Sequence, residues 1–393
     1  MSIILNRDLA AGIPQTHALI VGVGAYPHLI DGSESEHKPA ENSYGLGQIT
    51  SPPISATAFA NWLPKLDNAR APLGTVELLL SPAEYIGSSG EKISVDIPTM
   101  ENLTKAYGEW FARVNSHRDN VGIFYFCGHG LEREGTMMLM PSDFGDPSVA
   151  NTSLKIVNFS LTYDCSVLES TANTMLFLID ACRETTLEVL QCRTPPTALL
   201  TSHKWKVKEI DAQILSSSNE GGQSHAIPDQ KSFFTVALLD GLEKFGTRAK
   251  NNRKWEVTTS SLATAMKHLM SRMQTPEMEQ PTCHVGGRSN FDTVIHTFTG
   301  VAHVMSCVDC DPNSALEHAE LTITTVKRAD RSIDDEPREE FGRKTPAPVP
   351  YEDVVPAGEY SVAARFPSGQ FADATTPQLM LPPYTRCTVE VIP

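Results

Sequence analysis

The sequence has no uninterrupted apolar stretch approaching the roughly 18 residues that cross a bilayer. Its first residues, Met1 to Gly12, carry Arg7 and Asp8 where a secretory leader would have an apolar core and a small-residue cleavage site. We therefore expect neither a membrane segment nor secretion. Basic charge is also short: 32 Lys and Arg stand against 47 Asp and Glu, for a formal net charge of −15. That argues against nucleic acid as a partner, because such affinity comes from clustered Lys and Arg neutralising phosphates. An acidic surface favours basic protein segments instead. The eight cysteines, at 127, 165, 182, 192, 283, 307, 310 and 387, are too scattered for the disulfide framework of a small secreted domain. A cytoplasmic, reducing location is expected.

What the chain does have is length, with room in its 393 residues for a main domain of up to about 250 residues and a smaller one. His17 to Val23 (HALIVGV) reads as a strand buried on both faces. Ile54 to Leu63 reads as a helix stopped at Pro64, Thr75 to Leu80 as a strand, Asn102 to Val114 as an amphipathic helix and Val121 to Phe126 as a third strand. Met137 to Met140 is a short apolar piece ending at Pro141. Thr174 to Ile179 is a fourth core strand, residues 183–210 look like loop, and Ile214 to Ser217 offers a fifth strand. Ser232 to Phe245 and Ser261 to Met273 read as helices. Strands alternating with helices predict a three-layer α/β sandwich on a mainly parallel sheet over residues 14–292.

From residue 293 the pattern turns to strands, at Thr293 to Val308, Ala319 to Val326, Tyr360 to Arg365 and Thr388 to Ile392. Residues 293–393 are thus expected to form a small all-β domain, with residues 329–350 as a charged, Pro-rich, mobile excursion.

In a parallel sheet, functional groups gather beyond the carboxyl ends of the strands. Two such ends are chemically useful here: Cys127-Gly128-His129-Gly130 and Asp180-Ala181-Cys182-Arg183. A thiol becomes a nucleophile when a neighbouring imidazole takes its proton. A glycine-rich turn can aim backbone N–H groups at a developing oxyanion, which makes Gly130 and the Cys182 backbone candidates.

FYFCGHG (124–130) and FLIDACRE (177–184) resemble the His and Cys blocks of the caspase, metacaspase and paracaspase clan, prokaryotic caspase-like proteases included. The clan places its histidine roughly 50 residues before the cysteine, and 53 residues separate His129 from Cys182. The stretches MLMPSDF (138–144) and SFFTVALLDGL (232–242) look like further elements of the same fold. The resemblance runs over about residues 14–290 and implies a caspase-like cysteine endopeptidase: His129 as acid and base, Cys182 as nucleophile, and the N–H groups of Gly130 and Cys182 as oxyanion hole.

Asp180 stands where metacaspases carry the aspartate that lines the pocket for the residue before the cut, and where animal caspases carry glutamine. The resemblance therefore implies cleavage after a basic residue, Arg over Lys. The second acidic pocket residue of metacaspases has no match, the region reading Pro53, Ile54, Ser55, Ala56. Ser217, after the fifth strand, is a candidate for binding the substrate in extended form. Arg193 is a candidate self-cleavage point.

No metal or cofactor follows from the resemblance; calcium dependence is left open. The implied partners are protein substrates, with the C-terminal β domain as the place for an activator or partner protein. The implied setting is regulated proteolysis, defence or cell death. The alternative is a caspase-like pseudoenzyme or adaptor acting by protein binding.

Two weaker signals carry bland expectations. Gly22-Val23-Gly24 opens like a dinucleotide fingerprint without its third glycine. Cys307 and Cys310 form a CxxC without a second ligand pair.

Overall fold

The computed structural model describes residues 2–10, 12–40, 43–87, 89–148, 155–183, 196–204, 209–218, 226–250, 254–273, 280–298, 300–328 and 339–392. They form two compact units, Met1–Leu239 with Met270–Ile295, and Asp240–Leu269 with His296–Pro393. Among the described residues no helix is long and apolar enough to cross a membrane.

The first unit is built on a seven-stranded sheet. Its strands are β1 (Ile3–Asn6), β2 (Thr16–Val23), β3 (Leu73–Ser81), β4 (Val121–Cys127), β5 (Thr174–Asp180), β6 (Asp211–Ser216) and β7 (His284–Arg288). Their spatial order is β1-β3-β2-β4-β5-β6-β7. The five central strands are parallel, and β1 and β7 are antiparallel edges. Every residue of β2, β3, β4 and β5 is buried, which is why these strands read as continuous apolar runs.

Helices cover both faces of the sheet. On one, Leu19, Val21, Phe124 and Phe177 pack with Tyr107 and Trp110 of α2 (Met100–Val114) and with Phe159 and Tyr163 of α3 (Phe159–Glu169). On the other, Phe59 of α1 (Ser51–Trp62) lies 5.2 Å from the Tyr125 ring, and Thr235 of α4 (Phe233–Asp240) meets the Tyr125 hydroxyl at 2.7 Å. The result is the three-layer, mostly parallel α/β sandwich that the sequence led us to expect.

Helix α1 starts at Ser51 rather than Ile54, because prolines 52 and 53 occupy its first turn, where no backbone donor is needed. Helix α3 has no counterpart in the sequence reading. Its buried face includes Thr162 and Ser166, whose hydroxyls bond the carbonyls of Asn158 and Thr162, so its apolar period is masked. What marks its start is Asn158, whose side chain accepts from Leu161 N at 2.9 Å.

Gly24 is a packing device, not part of a nucleotide loop. A Cβ there would fall 2.4 Å from Ile49 O and 2.8 Å from Pro53 Cδ, so only glycine lets the α1 start approach β2.

The second unit contains the hairpin Thr247–Lys250/Lys254–Thr258, helix α5 (Thr259–Met270) and two further sheets. One sheet has His303–Asp311 between an antiparallel Tyr351–Pro356 and a parallel Tyr384–Glu390. The other is antiparallel, ordered Glu340–Arg343, Glu320–Arg328, Gly358–Arg365, Ala374–Met380. Val304, Val308, Leu321, Tyr360, Val389 and Trp255 share its core. This unit therefore takes in residues 240–269 as well as the C-terminal strands.

The charged excursion is only partly as expected. Residues 329–338 lie outside the described residues, whereas Glu340–Arg343 is a strand paired with Leu321 to Thr324. The turn after it is tied down by Arg343, whose guanidinium donates to the carbonyls of Ala347 and Val349. Alternation explains this: Phe341 packs on the core while Glu340 faces solvent.

Cys307 and Cys310 sit three apart on one strand and so point to opposite faces, which removes the CxxC as a shared metal site. Burial raises the Cys310 thiol to about 11.

Candidate active site

Strands β4 and β5 are parallel neighbours registered so that Cys127 faces Asp180. His129 and Cys182 each stand two residues beyond that pair, and Gly128 N continues the ladder by donating to Asp180 O at 3.2 Å. Residues 53 apart in sequence thus leave the sheet side by side at its carboxyl edge. The same register brings Asp180 and Gly130 to the site.

His129 is held at three points. Its backbone N–H donates to the Tyr26 hydroxyl at 2.9 Å, its ring centroid lies 4.9 Å from that of Tyr26, and its Nε2 is 2.9 Å from Gly47 O. A carbonyl only accepts, so Nε2 carries the hydrogen and Nδ1 keeps its lone pair. Burial pushes the imidazole below its ordinary pKa, partly opposed by the Gly47 bond. Burial thus favours the neutral form of the ring. Burial also raises the Tyr26 phenol, which stays protonated and donates to Met140 O at 3.4 Å.

Cys182 is part-exposed and in no disulfide. Its turn is propped by Ser218 Oγ and Ser217 Oγ, which donate to Ala181 O at 2.8 and 3.5 Å, while Ser217 N donates to Ile179 O at 3.0 Å. Ser217 is 1% exposed and does not line the cavity described below. The structure places it behind the cysteine turn.

Gly130 begins the hairpin Gly130–Arg133/Thr136–Leu139, and a Cβ on it would fall 2.6 Å from Cys182 O and 2.9 Å from Ala181 Cβ. Only glycine permits that approach of the two turns. Arg183 Nε sits 2.9 Å from Glu132 Oε2.

His129, Cys182 and Asp180 line one cavity of about 350 Å³. Its walls are the segment Gln48 to Pro52 and the residues Ala226, Pro228 and Ser232. The two walls are stitched together by Asp229 N donating to Thr50 Oγ1 at 2.8 Å. Asp180 Oδ2 accepts from Cys127 Sγ at 3.3 Å and from Ser232 Oγ in a short bond. Ser232 Oγ in turn meets Thr235 Oγ1 at 2.9 Å, and Ser232 N donates to Ser55 Oγ at 2.9 Å. Burial and the nearby Asp180 charge raise the Cys127 thiol well above its ordinary value, so it is a hydrogen donor to the carboxylate.

Asp180 is the one acidic residue lining this cavity, and no Lys or Arg lines it among the described residues. A larger cavity of about 840 Å³ opens near Pro14, Asn68 and Arg118 and, among the described residues, is lined by no cysteine or histidine.

Sequence reasoning missed Gly47, Gln48 and Ser232. Gly47 acts through a carbonyl, which no side-chain pattern reveals. Ser232 was visible only as the start of a helix. Arg193 lies outside the described residues.

Comparison with known proteins places residues 54–285 on the family model of the caspase domain, a peptidase family. An uncharacterized protein of Sinorhizobium fredii is 29% identical over 258 residues, covering 62% of this chain and 72% of its own. Among solved structures, caspase-1 from Spodoptera frugiperda is 14% identical, with 74% of this chain and 95% of that one covered at a TM-score of 0.43. A Geobacter sulfurreducens protein is 15% identical, with 70% and 93% covered at 0.39. With the family model matching more than half of its length, the chain belongs to the caspase-domain family of peptidases.

Proposed function

We propose that the protein is a cysteine endopeptidase that cuts protein substrates after a basic residue, Arg over Lys, with Cys182 as nucleophile and His129 as base and acid. The observation that carries this reading is the shared cavity, lined by Asp180 together with the two reactive side chains and, among the described residues, by no Lys or Arg. A guanidinium entering there meets a carboxylate oxygen already held by Ser232 and Cys127. It can engage that carboxylate with two parallel hydrogen bonds, whereas an ammonium offers a strongly hydrated point charge.

His129 Nδ1 takes the proton of the Cys182 thiol, and the thiolate attacks the scissile carbonyl carbon. The Gly130 and Cys182 N–H groups receive the oxyanion, a role that the close approach of their two turns supports. Collapse expels the amine, which leaves with the proton from His129, and a thioester remains. Water then gives a proton to His129 and attacks the thioester. The carboxylic acid departs and the proton returns to the Cys182 sulfur. Ser217 serves this site as a prop for the cysteine turn.

The test is a peptide-library cleavage profile on wild type and Cys182→Ala. Cleavage after Arg by wild type alone is expected; a preference for Asp or Leu before the cut overturns the specificity.

A further inference from the structure

His129 keeps its working tautomer because a carbonyl from an irregular loop lies against Nε2, so whatever holds Gly47 holds the base. Glycine contributes no side chain of its own to the task. Main-chain bonds hold the flanks, from Ile30 N to Leu46 O at 3.3 Å and from Ile49 N to Gly24 O at 3.0 Å. Between them the next residue reaches back across the loop. Gln48 Oε1 accepts from Tyr26 N at 2.8 Å, and its Nε2 donates to Tyr26 O at 3.0 Å and Ile30 O at 2.9 Å.

These partners fix the amide orientation, since a flipped group would set its NH2 against the Tyr26 N–H and its oxygen against two carbonyls. Three bonds from one exposed glutamine are more than its surface position requires. They join the Tyr26 turn, which holds the His129 backbone and faces its ring, to the peptide that holds the His129 side chain.

We propose that Gln48 is a positioning residue for His129: its amide locks the Tyr26 turn to the Gly47 carbonyl, and so keeps the imidazole oriented with hydrogen on Nε2 and the lone pair on Nδ1. This rests on His129 and Cys182 being the dyad. Substrate need not touch Gln48 for it to matter; displacing a positioned group by about 1 Å costs up to about 10²-fold in rate.

The test measures the alkylation rate of Cys182 by a small neutral haloacetamide in wild type, Gln48→Met, Gln48→Glu and His129→Ala. Histidine 15N spectra are recorded alongside, with the His129 signal among the twelve histidines assigned by its loss in His129→Ala. The methionine variant keeps the length and removes all three bonds. The glutamate variant keeps the acceptor for Tyr26 N but sets a carboxylate oxygen against the Tyr26 and Ile30 carbonyls. Both should alkylate at least about tenfold more slowly than wild type. Both should also lose the pure Nε2–H signature of His129 while remaining folded by circular dichroism.

Wild-type rates with an unchanged His129 signal would overturn the proposal. So would unfolding of both variants, which would make Gln48 a structural residue only. If His129→Ala itself alkylates at the wild-type rate, the dyad reading falls instead, a separate outcome.

Discussion

Arg183 Nε lies 2.9 Å from Glu132 Oε2, so a buried ion pair ties the residue after Cys182 to the hairpin that begins at Gly130. The two segments proposed to supply the oxyanion donors are thereby joined by side chains as well as by backbone proximity. Removing one partner of such a pair leaves the other charge buried without it, at a cost of about 3–5 kcal/mol, whereas replacing both by apolar groups is often neutral. Glu132→Leu and Arg183→Met should each lower stability to urea strongly and slow alkylation of Cys182, and the double variant should regain much of the stability. A double variant no better than the worse single one would contradict this.

Cys182→Ala and His129→Ala should each abolish turnover with the fold intact, because nucleophile and base act as a unit. Gly130→Ala keeps its N–H but displaces it, and should lose up to about 10²-fold in rate. Its new Cβ would press on Cys182 O, 2.6 Å away, and shift the turn. Steady-state rates on an Arg peptide, with circular dichroism as control, decide the matter.

Asp180→Asn should reduce cleavage after Arg by about 10- to 100-fold, the worth of a charge-assisted hydrogen bond. Alkylation of Cys182 by a neutral reagent should change much less. Equal losses in both assays would make Asp180 a structural residue of the cysteine turn and not a determinant of specificity.

Continuous apolar runs betrayed β2, β4 and β5, because strands buried on both faces have no alternation to confuse. The two strand ends then announced His129, Cys182 and Asp180. Other features had no signature. The Gly47 carbonyl is backbone chemistry. Helix α3 buries hydroxyls that bond its own carbonyls. Ala374–Met380 alternates weakly, with Pro377 in its middle. Nor could composition tell that Trp255, between two helical stretches, packs in the same core as Val304 and Tyr360. That assignment depends on contacts between residues far apart in sequence.

Alkylation of Cys182 should weaken with acid through a midpoint below 6.5, since burial depresses the His129 pKa and the neutral ring is the proposed base. Stability should fall over a related range. Burial, with Arg113 nearby, lowers His17 to about 4. Above about 6.5 both folded and unfolded forms are neutral there. Below that, the unfolded chain binds the proton first, so stability drops by up to about 1.4 kcal/mol per pH unit until the folded form titrates. Urea midpoints of wild type and His17→Asn across pH 4 to 7 should diverge if this holds; parallel curves would refute it.

Self-cleavage at Arg193, which we propose on the same basic preference, should yield two fragments from the active protein and a single chain from Cys182→Ala. Arg193→Gln should remove the cut if that residue is the site. Fragments that persist in Cys182→Ala would point to another protease.

The offset of two residues past the Cys127–Asp180 pair makes the strands a gauge for the proposed dyad. Chain inserted between Arg133 and Thr136, where the hairpin turns, leaves both counts untouched, so tags or whole modules grafted there should spare the chemistry. One residue added inside β4 or β5 has the opposite effect: it rotates everything downstream to the other side of the sheet, and the thiol and imidazole part company without either being mutated.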